Sequence, residues 1–134
     1  MYVKFMLLAD SAHTDQDGKL HVNGIFTNIN SRTFPCAHQK MTLVARIEGS
    51  AKERLLFTPE FQLRDNKGNV LIQQPLPRAK LSPTLSYNLF IELSDVPFKV
   101  PGLYEFVLLI DKKFMDSYAF NVTRIKTVRG RAQA

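Results

Sequence analysis

Apolar and polar positions alternate with a period of two through most of this chain. From 41 to 48, Met41, Leu43, Ala45 and Ile47 fall on one side, with Thr42, Arg46 and Glu48 on the other. Leu85, Tyr87, Leu89, Ile91 and Leu93 form a second such row, and Phe57, Phe61 and Leu63 a third around Pro59. Successive side chains of a strand point to opposite faces, so each row reads as the buried side of a β-strand. Helical periodicity is scarce. Strands are predicted over 2–9, 19–30, 40–48, 54–65, 69–74, 84–93, 103–111 and 114–123. Pro59 has no N–H to give a ladder, which puts its strand at an edge or breaks it there.

The segments between these runs carry turn chemistry. "DQDGK" and "DNKGN" combine Asp or Asn with Gly, residues that tolerate the positive φ of tight reversals. "DKK" at 111–113 is short enough to make the last two strands a hairpin. "QQPLPRAKLSPT", with prolines at 75, 77 and 83, suits an extended crossover between sheets and lacks a complete P-x-x-P ligand motif. Short strands separated by such turns predict an all-β fold, an antiparallel, immunoglobulin-like β-sandwich of seven or eight strands. Its inner faces would meet across about 10 Å. In "VPGLYEF", Gly102 and Tyr104 follow the pattern of a tyrosine corner, in which the phenol bonds back to the backbone near the turn.

Two strands break the simple alternation by being apolar on both faces. Val3, Phe5 and Leu7 alternate with Tyr2, Met6 and Leu8; Val107 and Leu109 alternate with Phe106, Leu108 and Ile110. A sheet strand needs only one apolar face, so the second is covered by a loop or packs on another subunit. Val3, Phe5, Leu7, Val107 and Leu109 are therefore the candidate interaction residues.

Composition narrows the classes. The chain has 134 residues, 45% of them hydrophobic and 22% charged, with ten Phe and no Trp. That is one soluble domain with a Phe and Tyr core, expected over 1–123 and followed by a basic flexible tail over 124–134. A single cysteine allows no internal disulfide and fits a reducing compartment. No run approaches the roughly 20 apolar residues that span a bilayer. The apolar stretch from Phe5 to Ala9 is too short for a signal sequence. A cytoplasmic location without a membrane is expected.

The net charge is +6, yet Arg124, Lys126, Arg129 and Arg131 lie in the last eleven residues, and without them fourteen basic residues face twelve acidic ones. That tail, with Arg78 and Lys80, is the candidate contact for a polyanion such as nucleic acid. It carries no aromatic residue for base stacking.

Catalytic and metal motifs fail on inspection. Cys36 and His38 could give two ligands where a closed zinc site needs four, and the other histidines, His13 and His21, flank a different turn. As a nucleophile and base they lack an orienting third group and an oxyanion hole. The "HTDQDGK" segment places Asp15 and Asp17 like part of a calcium loop, but its first and twelfth positions fall on His13 and Gly24, which supply no carboxylate. Neither a paired-carboxylate nor a phosphate-cradling pattern is present. No cofactor or small-molecule substrate is implied. An enzyme would have to gather Asp10, His38 and Arg46 in one pocket.

The segments "FMLLADSA", "GKLHVNGIF", "FPCAH", "LVARIEG" and "PGLYEFVLLIDKKF" resemble, in order, a family of small uncharacterised bacterial proteins. The corresponding family segments read approximately LLCDxA, GKLNILGIF, FPxxH, LxxRxEG and GxYxFxxxVDG. Asp10, Gly24, Phe34, Pro35, His38, Arg46, Gly49, Gly102 and Tyr104 match, while Ala9 and Lys113 depart and Cys36 lies outside the pattern. The resemblance implies a β-sandwich of bacterial, cytoplasmic origin and carries no activity. It leaves His38 as a buried or loop-anchoring group. The function expected is a non-catalytic protein-interaction module, as a homo-oligomer or with another protein. A nucleic-acid-binding accessory protein is the alternative.

Overall fold

A computed structural model describes residues 1–50 and 55–126. Within them the chain is all-β and has no helix. Eleven strands follow one another: β1 (Tyr2–Thr14), β2 (Leu20–Phe26), β3 (Asn28–Ser31), β4 (Cys36–Glu48), β5 (Leu56–Phe57), β6 (Pro59–Asp65), β7 (Val70–Pro75), β8 (Ala79–Lys80), β9 (Ser86–Phe98), β10 (Gly102–Ile110) and β11 (Lys113–Arg124). They form a four-stranded sheet in the order β2-β1-β4-β9, a five-stranded sheet β3-β11-β10-β6-β7, and a small pair β5-β8.

The count exceeds the seven or eight strands expected because two predicted runs divide and the proline-rich connection adds a short strand, β8. The run at 19–30 breaks at Thr27. Its first half stays beside β1, and β3 crosses to the other sheet, where it pairs in parallel with β11. That sheet is therefore mixed, not purely antiparallel. The run at 54–65 breaks at Thr58, next to Pro59. Two backbone bonds brace the break, Asp111 N–H to the Thr58 carbonyl and Thr58 N–H to the Asp111 carboxylate, both at 3.0 Å.

The turns behave as their residues dictate. Asp111 and Lys112 both take positive φ, 50° and 69°, which gives the β10–β11 hairpin the twist of a two-residue primed turn. Asp15 and Asp65 build two equivalent turns. Asp15 Oδ1 accepts the N–H groups of Asp17 and Lys19, and Asp65 Oδ1 those of Lys67 and Asn69.

One hydrophobic cluster draws on both large sheets. Met6, Leu8, Met41, Leu43, Ala45, Ile47, Leu89, Val96 and Phe98 come from the first; Phe61, Leu63, Tyr104, Phe106, Leu108, Phe120 and Val122 come from the second. Phe98 reaches across to Tyr104 and Phe120, edge-on at 4.9 and 6.0 Å between ring centroids. The Tyr104 phenol donates to the Val100 carbonyl at 2.6 Å, and Tyr118, on β11, donates to the Phe26 carbonyl at 2.9 Å. These phenols, Tyr104 buried and Tyr118 half-buried, sit with their polar ends on backbone oxygen and their rings among apolar neighbours.

Candidate functional site

Register decides which apolar residues face away from the core. On β4, Met41, Leu43, Ala45 and Ile47 face inward, so Thr42, Val44 and Arg46 face out. A bulge at Lys4 shifts β1 by one position: Val3 lies opposite Ile47 on the inner side, while Phe5 lies opposite Arg46 and Leu7 opposite Val44 on the outer side. β9 continues the outer rows with Asn88 opposite Arg46 and Phe90 opposite Val44, and β2 places Ile25 opposite Ala9.

Phe5, Leu7, Val44, Phe90, Ala9 and Ile25 thus form a contiguous apolar patch on the outer face of the four-stranded sheet. None of them belongs to the core cluster or packs against it. Ile25 is 60% exposed and Phe90 39%, whereas Val44, on a central strand, is covered by its neighbours. Polar groups rim the patch. Glu48 accepts from the Tyr2 hydroxyl at 2.7 Å and from Arg46 Nε at 3.0 Å, and Lys40 pairs with Glu92 at 3.5 Å. An apolar centre inside a polar rim is the usual anatomy of a protein-binding surface.

The other doubly apolar strand behaves differently. On the outer face of the five-stranded sheet Val107 lies between Gln62 and Ser117, and Leu109 beside Glu60. Arg64 donates twice to Gln62 Oε1, and Gln73 and Lys112 both donate to Glu60. Val107 is 1% exposed, while Leu109 is half-buried, as Phe5 and Leu7 are, and lies opposite the exposed Phe114. Among the five candidate interaction residues, then, Phe5 and Leu7 lie on the open apolar face. Val3 faces the core, and Val107 is already buried. Val44, Ile25 and Phe90 were missed.

The candidate chemical groups do not converge. Cys36 lies opposite Phe98 and is half-buried against the core; His38 lies opposite Val96 with its ring 5.7 Å from Phe26. Arg46 is eight residues from His38 on the same strand, about 26 Å at strand rise, and bonds Asn88 and Glu48. Asp10 lies across from Gly24, whose φ of +71° and bare Cα leave room for that carboxylate. His13 and His21 stack at 4.8 Å, and His21 meets Asp15 at 2.7 Å. Among the described residues no group of three or more His, Cys, Asp or Glu is placed to hold a metal ion.

The basic candidates are dispersed as well. Arg124 ends β11 instead of opening a tail: it lies opposite Ser31, donates to the Arg32 carbonyl and covers the Phe34 ring at 4.9 Å. Lys126 is exposed, Lys80 sits on β8 and Arg78 on the connection before it. Arg129 and Arg131 lie outside the described residues.

Four carboxylates have their acidities strengthened. Hydrogen bonds from His21 and the turn backbone lower Asp15. The Tyr2 hydroxyl and Arg46 lower Glu48. Gln73 and then Lys112 lower Glu60, against the opposing cost of burial, and Asn69 with neighbouring backbone N–H groups lowers Asp65. A depressed folded-state pKa means the unfolded chain binds more protons in the acid range. These bonds therefore stabilise fully above the ordinary carboxylate values near about 4 and are lost as pH falls through the lower folded values. Thermal unfolding followed by circular dichroism should show a midpoint that is flat near neutrality and drops below about pH 5. A Glu60→Gln, Asp65→Asn double variant should show a shallower drop.

The molecule at this point is an all-β domain with a contiguous apolar row on the outer face of its four-stranded sheet and scattered ionisable groups. Comparison places it further: the chain belongs to DUF6941, a family of unknown function, whose model matches residues 4–123. No curated protein matches it significantly in sequence. Among solved structures it is similar to Pseudomonas fluorescens alkylpurine DNA glycosylase AlkC bound to DNA containing an abasic site analog, with a TM-score of 0.56 and 13% identity. The match covers 72% of this chain and 27% of that one, so this chain corresponds to about a quarter of the glycosylase's length. At that identity the likeness concerns fold. No helix among the described residues is long and apolar enough to cross a membrane.

Proposed function

We propose that this protein is a non-catalytic, cytoplasmic protein-interaction module that docks its partner on the outer face of the four-stranded sheet. The scaffold is read as an immunoglobulin-like β-sandwich. The core shared by both sheets, the Phe98 contacts across it and the Tyr104–Val100 bond support that reading. The observation that carries the functional reading is the patch of Phe5, Leu7, Val44, Phe90 and Ile25. It is apolar, contiguous, separate from the core and rimmed by paired charges.

Leu7→Asp tests this directly, because it puts a charge at the patch centre without touching the core cluster. The far-ultraviolet spectrum should stay unchanged while affinity for whatever protein the wild-type chain retains falls by roughly a hundredfold, the size of a central interface anchor. Equal retention by wild type and variant would refute the assignment.

A further inference from the structure

We propose that the free edge of β9 pairs with the same edge of a second copy of this chain, antiparallel about a two-fold axis at Phe90. This rests on the interaction reading above and names one partner.

β9 closes the sheet β2-β1-β4-β9, and among the described residues no strand pairs with its far side. A groove of about 440 Å³ runs beside it, walled by Leu76, Pro77 and Arg78 and by residues 87–92 of the strand. Side chains of both parities line that groove, which places it along the backbone edge instead of either sheet face. Natural edge strands are blunted by shortness, by charged side chains, above all Lys, by Pro or by bulges, and a glycine at positive φ bends a strand as well. The other free edges of the two large sheets have such features: β3 is only four residues long, β2 carries Gly24 at positive φ, and β7 ends at Pro75 and is bulged against β6. From Ser86 to Ser94, β9 has no Lys, Pro, Gly or bulge and a single charge, Glu92, and the positive-φ residues Leu85 and Asp95 merely bracket the run.

The edge is also self-complementary. With the axis at Phe90, Phe90 meets its own copy, Asn88 faces Glu92 of the second copy, and Ser86 faces Ser94. On the inner side Tyr87 faces Leu93 and Leu89 faces Ile91. Asn88 Oδ1 already accepts Arg46 Nη1 at 3.0 Å, which leaves its amide N–H groups to donate. Glu92 uses Oε2 on Lys40, which leaves Oε1 to accept. Other registers are worse. An axis at Glu92 sets two carboxylates together, and one at Ile91 sets Phe90 against Glu92. The favoured pairing joins two sheets into one of eight strands with both apolar patches on the same side, in isologous two-fold symmetry.

The test uses the full chain carrying Cys36→Ser. Asn88→Cys and Glu92→Cys chains, mixed and oxidised, should form the mixed disulfide, and neither alone should form its own. Sedimentation of wild type should show reversible association to twice the 15.3 kDa mass. Phe90→Lys should weaken it by roughly tenfold or more with an unchanged circular dichroism spectrum. Leu7→Asp, which lies off the edge, should keep the mixed disulfide. A monomer at all micromolar concentrations, same-residue disulfides in preference, or a dimer indifferent to Phe90→Lys would overturn the proposal. So would a foreign strand protecting β9 without self-association. A monomer whose partner binding still depends on Leu7 would overturn the edge pairing while sparing the docking face. Partner binding indifferent to Leu7→Asp, with the mixed disulfide intact, would do the reverse.

Discussion

Truncating Phe98 to alanine should lower the free energy of unfolding by about 3–5 kcal/mol, the largest loss expected of any prediction made for this chain. Phe98 is fully buried at the end of β9, in the four-stranded sheet, and its ring meets Tyr104 and Phe120 of the five-stranded sheet edge-on. Phe120 in turn stacks on Phe106 at 5.5 Å. Alanine would remove the ring's transfer free energy and leave a cavity that strands fixed by two ladders cannot close. It would also lose two aromatic pairs worth about 0.5–1.5 kcal/mol each beyond area burial. Urea unfolding followed by circular dichroism reads the change. A loss below about 1 kcal/mol, the range of an ordinary surface change, would mean that Phe98 does not couple the two sheets.

Gly24→Ala should be the second most damaging change, and its reason is local. Gly24 has φ +71°, a conformation that costs an L residue about 1–3 kcal/mol when the surroundings enforce it. A methyl group there would also fall on the Asp10 side chain, with even the Asp10 Cβ at 3.1 Å. Adding Asp10→Ala to Gly24→Ala should recover the part due to the carboxylate and leave the backbone cost. The measurement is the same urea titration on both single variants and the double. Strict additivity would show that the two sites do not touch. Asp10 and Gly24 are thus two halves of one cross-strand steric contact.

Most of the strand pattern could be read from the chain because a period of two needs no tertiary information. The rows Met41–Ile47 and Tyr87–Leu93 face the core as their alternation requires, whereas Leu85, expected to open the second row, sits at positive φ in the turn before β9. The failures come from single residues that change parity. The bulge at Lys4 separates Val3 from Phe5 and Leu7, although all three are odd-numbered. Positive φ at Asp95 moves the inward set from Leu93 to Val96 and Phe98 and carries β9 past its predicted end at 93. Nothing in the composition of "SDVPF" signals that turn in parity. The crossing of β3 to the other sheet is likewise a long-range choice, made by pairing with β11.

The apolar row on the outer face of the four-stranded sheet was half legible. Phe5 and Leu7 stood out because their strand is apolar on both sides, and the same signal was present in two other places. Val44 interrupts the polar side of its strand, as Phe90 does in β9. Neither position has a reason to be apolar in a sheet with one buried face. What alternation cannot reveal is that register sets Leu7, Val44 and Phe90 in one cross-strand row. Nor could it show that Gln62 and Glu60 lie beside Val107 and Leu109, since those contacts depend on the pairing of β6 with β10.

Solvent footprinting by hydroxyl radicals is the most direct trial of the central claim, that the outer face of the four-stranded sheet is built to be covered. Labelling of Phe5, Leu7, Ile25 and Phe90 should fall when the native partner is added to the full chain, while Leu103 and Phe114, exposed on the other sheet, keep their reactivity. Undiminished labelling of the four residues in a complex that has demonstrably formed, or protection confined to the opposite sheet, would contradict it.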